Sequence, residues 1–281
     1  MVSTPPTAPV LFDRALLGAR LVRAMREGAV TFLLDRAAED LADRLLAVSR
    51  SFAAAADLWT PGAGLTEAAR ARADSIARIA FDPSEALSLP AGSLDLVVSA
   101  LAFQFVNDLP GVLAQIRRAL KPDGLLLAAM LGGDTLTELR QSFAAAEAEC
   151  EGGVSPRVAP FADLRDIGAL LQRAGFALPV TDVDRVVVRY GSAFALMADL
   201  RRMGATNVLR ERRHSPTRRT TMLRMAELYR ERFADPDGRI RATFDIVWLS
   251  GWAPHESQQQ PLKPGSAKAS LEAAVKGAKR E

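Results

Sequence analysis

Cysteine and histidine are nearly absent from this 281-residue chain: Cys150 is its single cysteine, and His214 and His255 are its two histidines. One cysteine excludes an internal disulfide and any cysteine-rich zinc or iron–sulfur centre. Two histidines, one in a helical stretch and one at the start of the C-terminal tail, assemble no ligand set, so no metal site is expected. No run of about 18 uninterrupted apolar residues occurs, which argues against a membrane-spanning helix. The amino terminus also lacks a secretory signal's charged n-region and apolar h-region, with Pro5, Pro6, Pro9 and Asp13 where those belong. A cytoplasmic protein is the expectation. Charge is nearly balanced, 36 Lys and Arg against 33 Asp and Glu, so its placement matters more than its sum.

What the chain does have is clearest between Ser93 and Arg140. Leu94 to Ala100 is a short apolar run suited to a strand buried on both faces. Asp108 then caps a helix with Pro110 in its first turn, and Val112, Leu113, Ile116, Ala119 and Leu120 share one face. The Lys121-Pro122-Asp123-Gly124 turn stops that helix, and Leu125 to Leu131 is a second strand. Two buried strands joined by a helix make a right-handed crossover. Thr135 to Glu138 has capping-box spacing and starts a further helix.

Around this stretch, Ser3 to Pro9 reads as a leader and Phe12 to Ser51 as two helices, the second burying Leu33, Ala37, Leu41 and Leu45. Phe52 to Trp59 is taken as a first strand despite its alanines, followed by a turn and an Arg/Ala-rich helix; Ile79 to Asp82 is a candidate short strand. Phe161 to Ala174 is a helix, Val183 to Tyr190 a strand, Ala193 to Phe233 helical with breaks at Gly204 and Pro216, and Thr243 to Trp252 a last strand. Beyond Pro254 the composition is that of a flexible tail with a possible helix near Ser270 to Lys279. The order is that of a doubly wound α/β sheet, whose ligands bind beyond the carboxyl ends of the strands. Three loops lie there. Asp57, Leu58, Gly62 and Gly64 belong to the first, Asp82 with Glu85 to the second, and Ser99, Ala100, Leu101 and Phe103 to the third.

Several motifs carry a resemblance: Phe12-Asp-Arg14, Leu94-Asp-Leu-Val-Val-Ser99, Val106-Asn-Asp-Leu-Pro110, Leu120-Lys-Pro-Asp-Gly124, Gly132-Gly-Asp-Thr135, Arg173-Ala-Gly-Phe176 and His255-Glu-Ser-Gln258. In these the chain resembles class I S-adenosylmethionine-dependent methyltransferases of the methyltransferase-11 type. Within that group it is similar to the bacterial relatives of mitochondrial complex I assembly factor 5, and to the malonyl-carrier methyltransferase of biotin synthesis. The resemblance implies a Rossmann-like methyltransferase core over 52–190 and 242–254. Preceding it are a leader and helices over 1–51; an Arg-rich helical insertion covers 191–241 and a tail 255–281. It implies S-adenosylmethionine held by Asp57, Leu58, Gly62 and Gly64, by Asp82, and by Ser99, Ala100, Leu101 and Phe103. It also implies a protein substrate in respiratory complex I, and a location that is cytoplasmic or peripheral to the inner membrane through that partner.

One departure is informative. Laid on Asp57, the family's Asp-x-Gly-x-Gly-x-Gly pattern puts Trp59 and Pro61 where the first two glycines belong, with Gly62 and Gly64 one place out of register. Trp adds a side chain where a cofactor needs bare backbone, and Pro removes an amide donor. The strand–helix unit between Leu58 and Asp82 also reads as shortened or absent. No catalytic residue is assigned: Asp108 and Asp134 are nearest by loop position, and each also reads as a helix cap. Residues 201–232 hold ten arginines against three glutamates. With Tyr229 as their lone aromatic they suggest a solvated face or a dock for an acidic protein, not a nucleic-acid surface. Three functions stay open: modification of a complex I subunit, by methylation or by the arginine hydroxylation that the resemblance also implies, or its chaperoning; methylation of a small molecule or carrier protein; and a fold relative without catalysis.

Overall fold

The computed structural model describes residues 10–258; the leader before Val10 and the expected helix near Ser270 lie outside them. Helices α1 (Arg14–Glu27) and α2 (Phe32–Leu46) precede strand β1 (Phe52–Leu58), helix α3 (Gly64–Arg70), and strands β2 (Ala73–Ile79) and β3 (Leu94–Ala100). A 3-10 turn (Phe103–Phe105) leads into α4 (Leu109–Ala119) and β4 (Leu120–Gly132). Then come α5 (Thr137–Glu151), α6 (Leu164–Arg173), β5 (Ala177–Tyr190), α7 (Ala193–Arg202), α8 (Arg219–Phe233) and β6 (Ile240–Trp252). The sheet order is β2-β1-β3-β4-β6-β5, parallel from β2 to β4, with β6 antiparallel to both of its neighbours. This is the doubly wound α/β sheet expected from the sequence.

β3 and β4 are buried on both faces, as continuous apolar runs require. Leu96, Val98, Leu125 and Leu127 join the core under α2, α5, α7 and α8, while Val97, Leu126, Ala128 and Met130 join that under α4 and α6. Asp108 caps α4 as expected, accepting from the Gly111 amide at 2.9 Å. On α2, Leu33, Ala37, Leu41 and Leu45 are all buried. Arg36 and Arg44 on the same helix reach across to Asp184 and Asp182 of β5 at 2.5 and 2.6 Å.

Several local expectations need correction. The helix after β1 is only seven residues long, and the strand after it is Ala73–Ile79, not Ile79–Asp82. Alanine-rich helix propensity loses there because the outer edge of β1 offers backbone groups that six paired residues of β2 satisfy. The strand–helix unit in doubt is therefore present, in short form. The Lys121–Gly124 turn is a bulge inside β4: pairing with β3 jumps from Leu94–Leu120 to Leu96–Leu125, Asp123 takes φ 62°, and Gly124 accepts from the Ala253 amide at 2.7 Å. The capping box does not form. Leu136 is the N-cap of α5 with no side-chain bond; the Thr135 hydroxyl instead donates to the Gly132 carbonyl at 2.7 Å and accepts from the Asp245 amide, and buried Glu138 takes the amide and hydroxyl of Thr243 on β6. Helix α6 starts later than expected, at Leu164 behind its Asp163 cap, and β5 earlier, at Ala177.

Candidate functional site

The carboxyl ends of β1, β2 and β3 converge, and the three loops predicted from sequence lie together there. Ser99 donates to the Leu58 carbonyl at 2.7 Å, and the Ala100 amide donates to the Thr60 hydroxyl at 2.9 Å, so the first and third loops are tied to each other. Asp57 is fully buried. Its Oδ2 accepts from Thr66 at 2.5 Å and its Oδ1 has no partner. Burial pushes its carboxyl above the ordinary value of 3.8, against the opposing pull of Thr60, Thr66 and Arg78. Gly62 has φ +78°, and a side chain at Gly62 or Gly64 would meet nothing within 4 Å; both face open space. Leu101 takes φ 52°, and Phe103 is buried against the α4 side of the sheet. Asp82 is exposed, accepting from the Ser84 amide at 2.7 Å.

The middle of the crevice is filled by side chains. Trp59, at φ 62°, turns inward and is 2% exposed. Its ring meets Phe81 edge-on at 6.5 Å. Arg14 of α1 enters from outside the sheet, its guanidinium 4.8 Å from the Trp59 ring centre and 4.5 Å from that of Phe81, a stacked cation on two aromatic faces. The same group pairs with Glu85 at 3.1 Å and donates to the carbonyls of Asp82 at 2.7 Å and Phe105 at 3.2 Å. Glu85 in turn accepts from the amides of Asn107 and Asp108 at 2.7 and 2.9 Å. Burial lowers the Arg14 pKa, with Glu85 and Asp82 opposing the shift.

The start of α1 is fixed by the third loop. The Phe12 amide donates to Asn107 Oδ1 at 2.7 Å, Asn107 Nδ2 returns a bond to the Phe12 carbonyl at 3.2 Å, and Asp13 caps the helix through the Leu16 amide. Two of the short sequence motifs, Phe12-Asp-Arg14 and Val106-Asn-Asp, are thus halves of one clamp. Arg14 was missed as a site residue because an arginine in the first turn of an amphipathic helix reads as solvent-facing; Phe81 heads the second candidate loop, but one phenylalanine in a loop carries no signal of its role.

In this arrangement the Trp59 indole fills the place that a bare glycine backbone would leave open. The cavity behind Trp59 and Phe81 is about 50 Å³, well below the roughly 300 Å³ at which small-molecule sites begin. A wider, open groove of about 520 Å³ lies on the outer side, between α1, Gly62 and the end of β2. Asp108 serves as a cap, and exposed Asp134 pairs with Arg185 at 2.7 Å, so neither is poised as a base. No group of three or more metal-ligating side chains occurs among the described residues; His255 contacts Ser257. Much of the arginine-rich segment's charge is spent internally: Arg201, Arg212, Arg213 and Arg224 pair with Glu27, Asp13, Glu151 and Glu149.

A methyltransferase-domain family model, Methyltransf_11, matches residues 36–128. Against the arginine-hydroxylase NDUFAF5 of Homo sapiens, the chain is 39% identical over 293 aligned positions that take in 96% of this chain and 84% of the human protein. The chain belongs to the NDUFAF5 family. It is 46% identical over 177 residues to the NDUFAF5 of Dictyostelium discoideum, where the match spans 63% of this chain but only 40% of that longer relative. The malonyl-[acyl-carrier protein] O-methyltransferase of Laribacter hongkongensis is 41% identical over 181 residues, 64% of this chain and 58% of that protein. Among solved structures, the YcgJ protein of Bacillus subtilis superposes with a TM-score of 0.51 at 12% identity, over 77% of this chain and 99% of its own, a likeness of fold alone. Among the described residues, no helix is long and apolar enough to cross a membrane.

Proposed function

We propose that this NDUFAF5-family chain acts on a protein subunit during assembly of respiratory complex I, from the cytoplasm or the periphery of the inner membrane. What supports the reading is the similarity to human NDUFAF5 over 96% of this chain, well beyond residues 36–128 of the methyltransferase-domain match. Deleting the gene in the source organism should lower the amount of assembled complex I on native gels; an unchanged amount overturns the reading.

The Trp59–Arg14–Phe81 stack favours a fold that works on its subunit without S-adenosylmethionine in the customary crevice. A second reading, S-adenosylmethionine-dependent methyl transfer, draws on the open groove beside Gly62 and on the meeting of the Asp57, Asp82 and Ser99 loops. In it, Asp57, Leu58, Gly62, Gly64, Asp82, Ser99, Ala100, Leu101 and Phe103 hold the cofactor. When bound, that group supplies an electrophilic methyl for in-line transfer; the chain's part is to align the acceptor and exclude water. Calorimetry with S-adenosylhomocysteine separates the two: saturable binding at about micromolar level supports methyl transfer, and none at about 1 mM overturns it.

A further inference from the structure

Next to the stacked crevice, between the end of β4, helices α5 and α7 and the 203–209 segment, lies a second cavity of about 220 Å³. Its walls are apolar, with Leu33, Leu131, Leu139, Phe143, Met197 and Phe244 among them. Apolar cavities of ~150 Å³ already stay dry and admit benzene. An apolar ligand restores the dispersion contacts that such walls otherwise lack.

Two arginines are bonded to the backbone of its wall. Arg20 donates to the Asn207 carbonyl and Arg140 to the Ala159 carbonyl at 3.4 Å, and both Asn207 and Ala159 belong to the wall. Neither guanidinium forms an ion pair among the described residues, and Asp13, two helical turns before Arg20, pairs with Arg212 at 3.5 Å. Arg157, which also lines the cavity, is neutralised by the buried carboxylate of Glu147. Burial and the neighbouring Arg212 and Arg23 lower the Arg20 pKa against the opposing pull of Asp13, so an arriving anion favours the charged guanidinium. A cationic ligand has nothing to pair with there, whereas an anionic head with an apolar tail matches both parts.

We propose that this cavity binds a medium-chain fatty carboxylate, its hydrocarbon chain between α5 and α7 and its head group at Arg20 and Arg140. The cavity shares Leu33, Phe105, Leu131, Met203 and Ala205 with the one behind Trp59 and Phe81, and its two arginines lie outside the residues that would hold S-adenosylmethionine.

The test is titration calorimetry of the full chain with sodium octanoate and with octanol. Octanoate should saturate one site at about 0.1 mM or tighter, with octanol about tenfold weaker. Arg20→Gln and Arg140→Gln should each weaken octanoate about tenfold and leave octanol unchanged. Met197→Trp, which fills the cavity, should abolish both. No saturation by octanoate up to about 1 mM in the unmodified chain overturns the proposal. So does octanol binding as tightly as octanoate, or octanoate affinity unmoved in both arginine variants, whose melting temperatures confirm that they fold.

Discussion

The Arg14 guanidinium lies 4.8 Å from the centre of the Trp59 ring, so a helix outside the sheet supplies the cation that sits in the sheet's own crevice. That contact joins a departure from the family pattern, a tryptophan at a glycine position, to a motif that carries the resemblance, the arginine of Phe12-Asp-Arg14.

Replacing Trp59 by glycine should open the crevice. The backbone gains, because φ 62° costs a non-glycine residue roughly 1–3 kcal/mol. Loss of the buried indole outweighs this at roughly 3–5 kcal/mol, so the variant unfolds at lower urea. Calorimetry should show it binding S-adenosylhomocysteine at least about tenfold more tightly than the unmodified chain. Equal behaviour of the two proteins would mean that the indole does not block the seat.

Arg14→Met tests the ion pair at the base of the stack. The Arg14 side chain is 3% exposed and that of Glu85 11%, and removing one member of a buried pair costs about 3–5 kcal/mol. The amides of Asn107 and Asp108 still serve the stranded carboxylate, which points to the lower end. The double variant Arg14→Met/Glu85→Gln should lose less than the sum of the single losses. Strict additivity in urea unfolding would contradict a direct pair.

Thr135→Val isolates the bond that replaces the expected capping box. The hydroxyl serves the Gly132 carbonyl and the Asp245 amide in a fully buried place, so isosteric removal should cost about 1–3 kcal/mol. A loss below about 0.5 kcal/mol would show that water or a neighbour takes its place.

Asp57 makes the chain's stability depend on pH with a definite sign. Burial raises its folded-state pKa above the ordinary 3.8, so the native state prefers the neutral acid. Ionising it costs stability, a cost absent below 3.8 that grows as pH rises through the folded-state value. Asp57→Asn escapes that cost. The stability of the variant relative to the unmodified chain should therefore rise with pH across this window, with a constant offset for the altered Thr66 bond. A pH-independent difference would refute the shift.

Much of the sheet was legible because β3 and β4 carry apolar runs too short for helices, and because Asp108 with Pro110 marks a helix start without ambiguity. The alanines of β1 were readable as strand only through the Pro61–Gly64 loop that follows them. β2 was misplaced because Ala73–Ile79 has neither strand alternation nor β-branched density; its conformation comes from the waiting edge of β1. The Thr135–Glu138 spacing misled because Thr243 and Asp245, far away in sequence, compete for the same side chains. At the site, the convergence of the three loops was readable and their filling was not: Arg14 reaches Trp59 only once α1 has been placed.

The short crossover between β1 and β2 has a consequence in time. Seven-residue α3 covers little, and Asp74, Ser75, Ala77 and Arg78 of β2 face solvent. Such an edge belongs to the part of a fold that opens locally without global unfolding. Amide hydrogens of β2 should exchange by brief local opening, well ahead of those of β3 and β4. The wall beside Trp59 should then open more readily than the central strands.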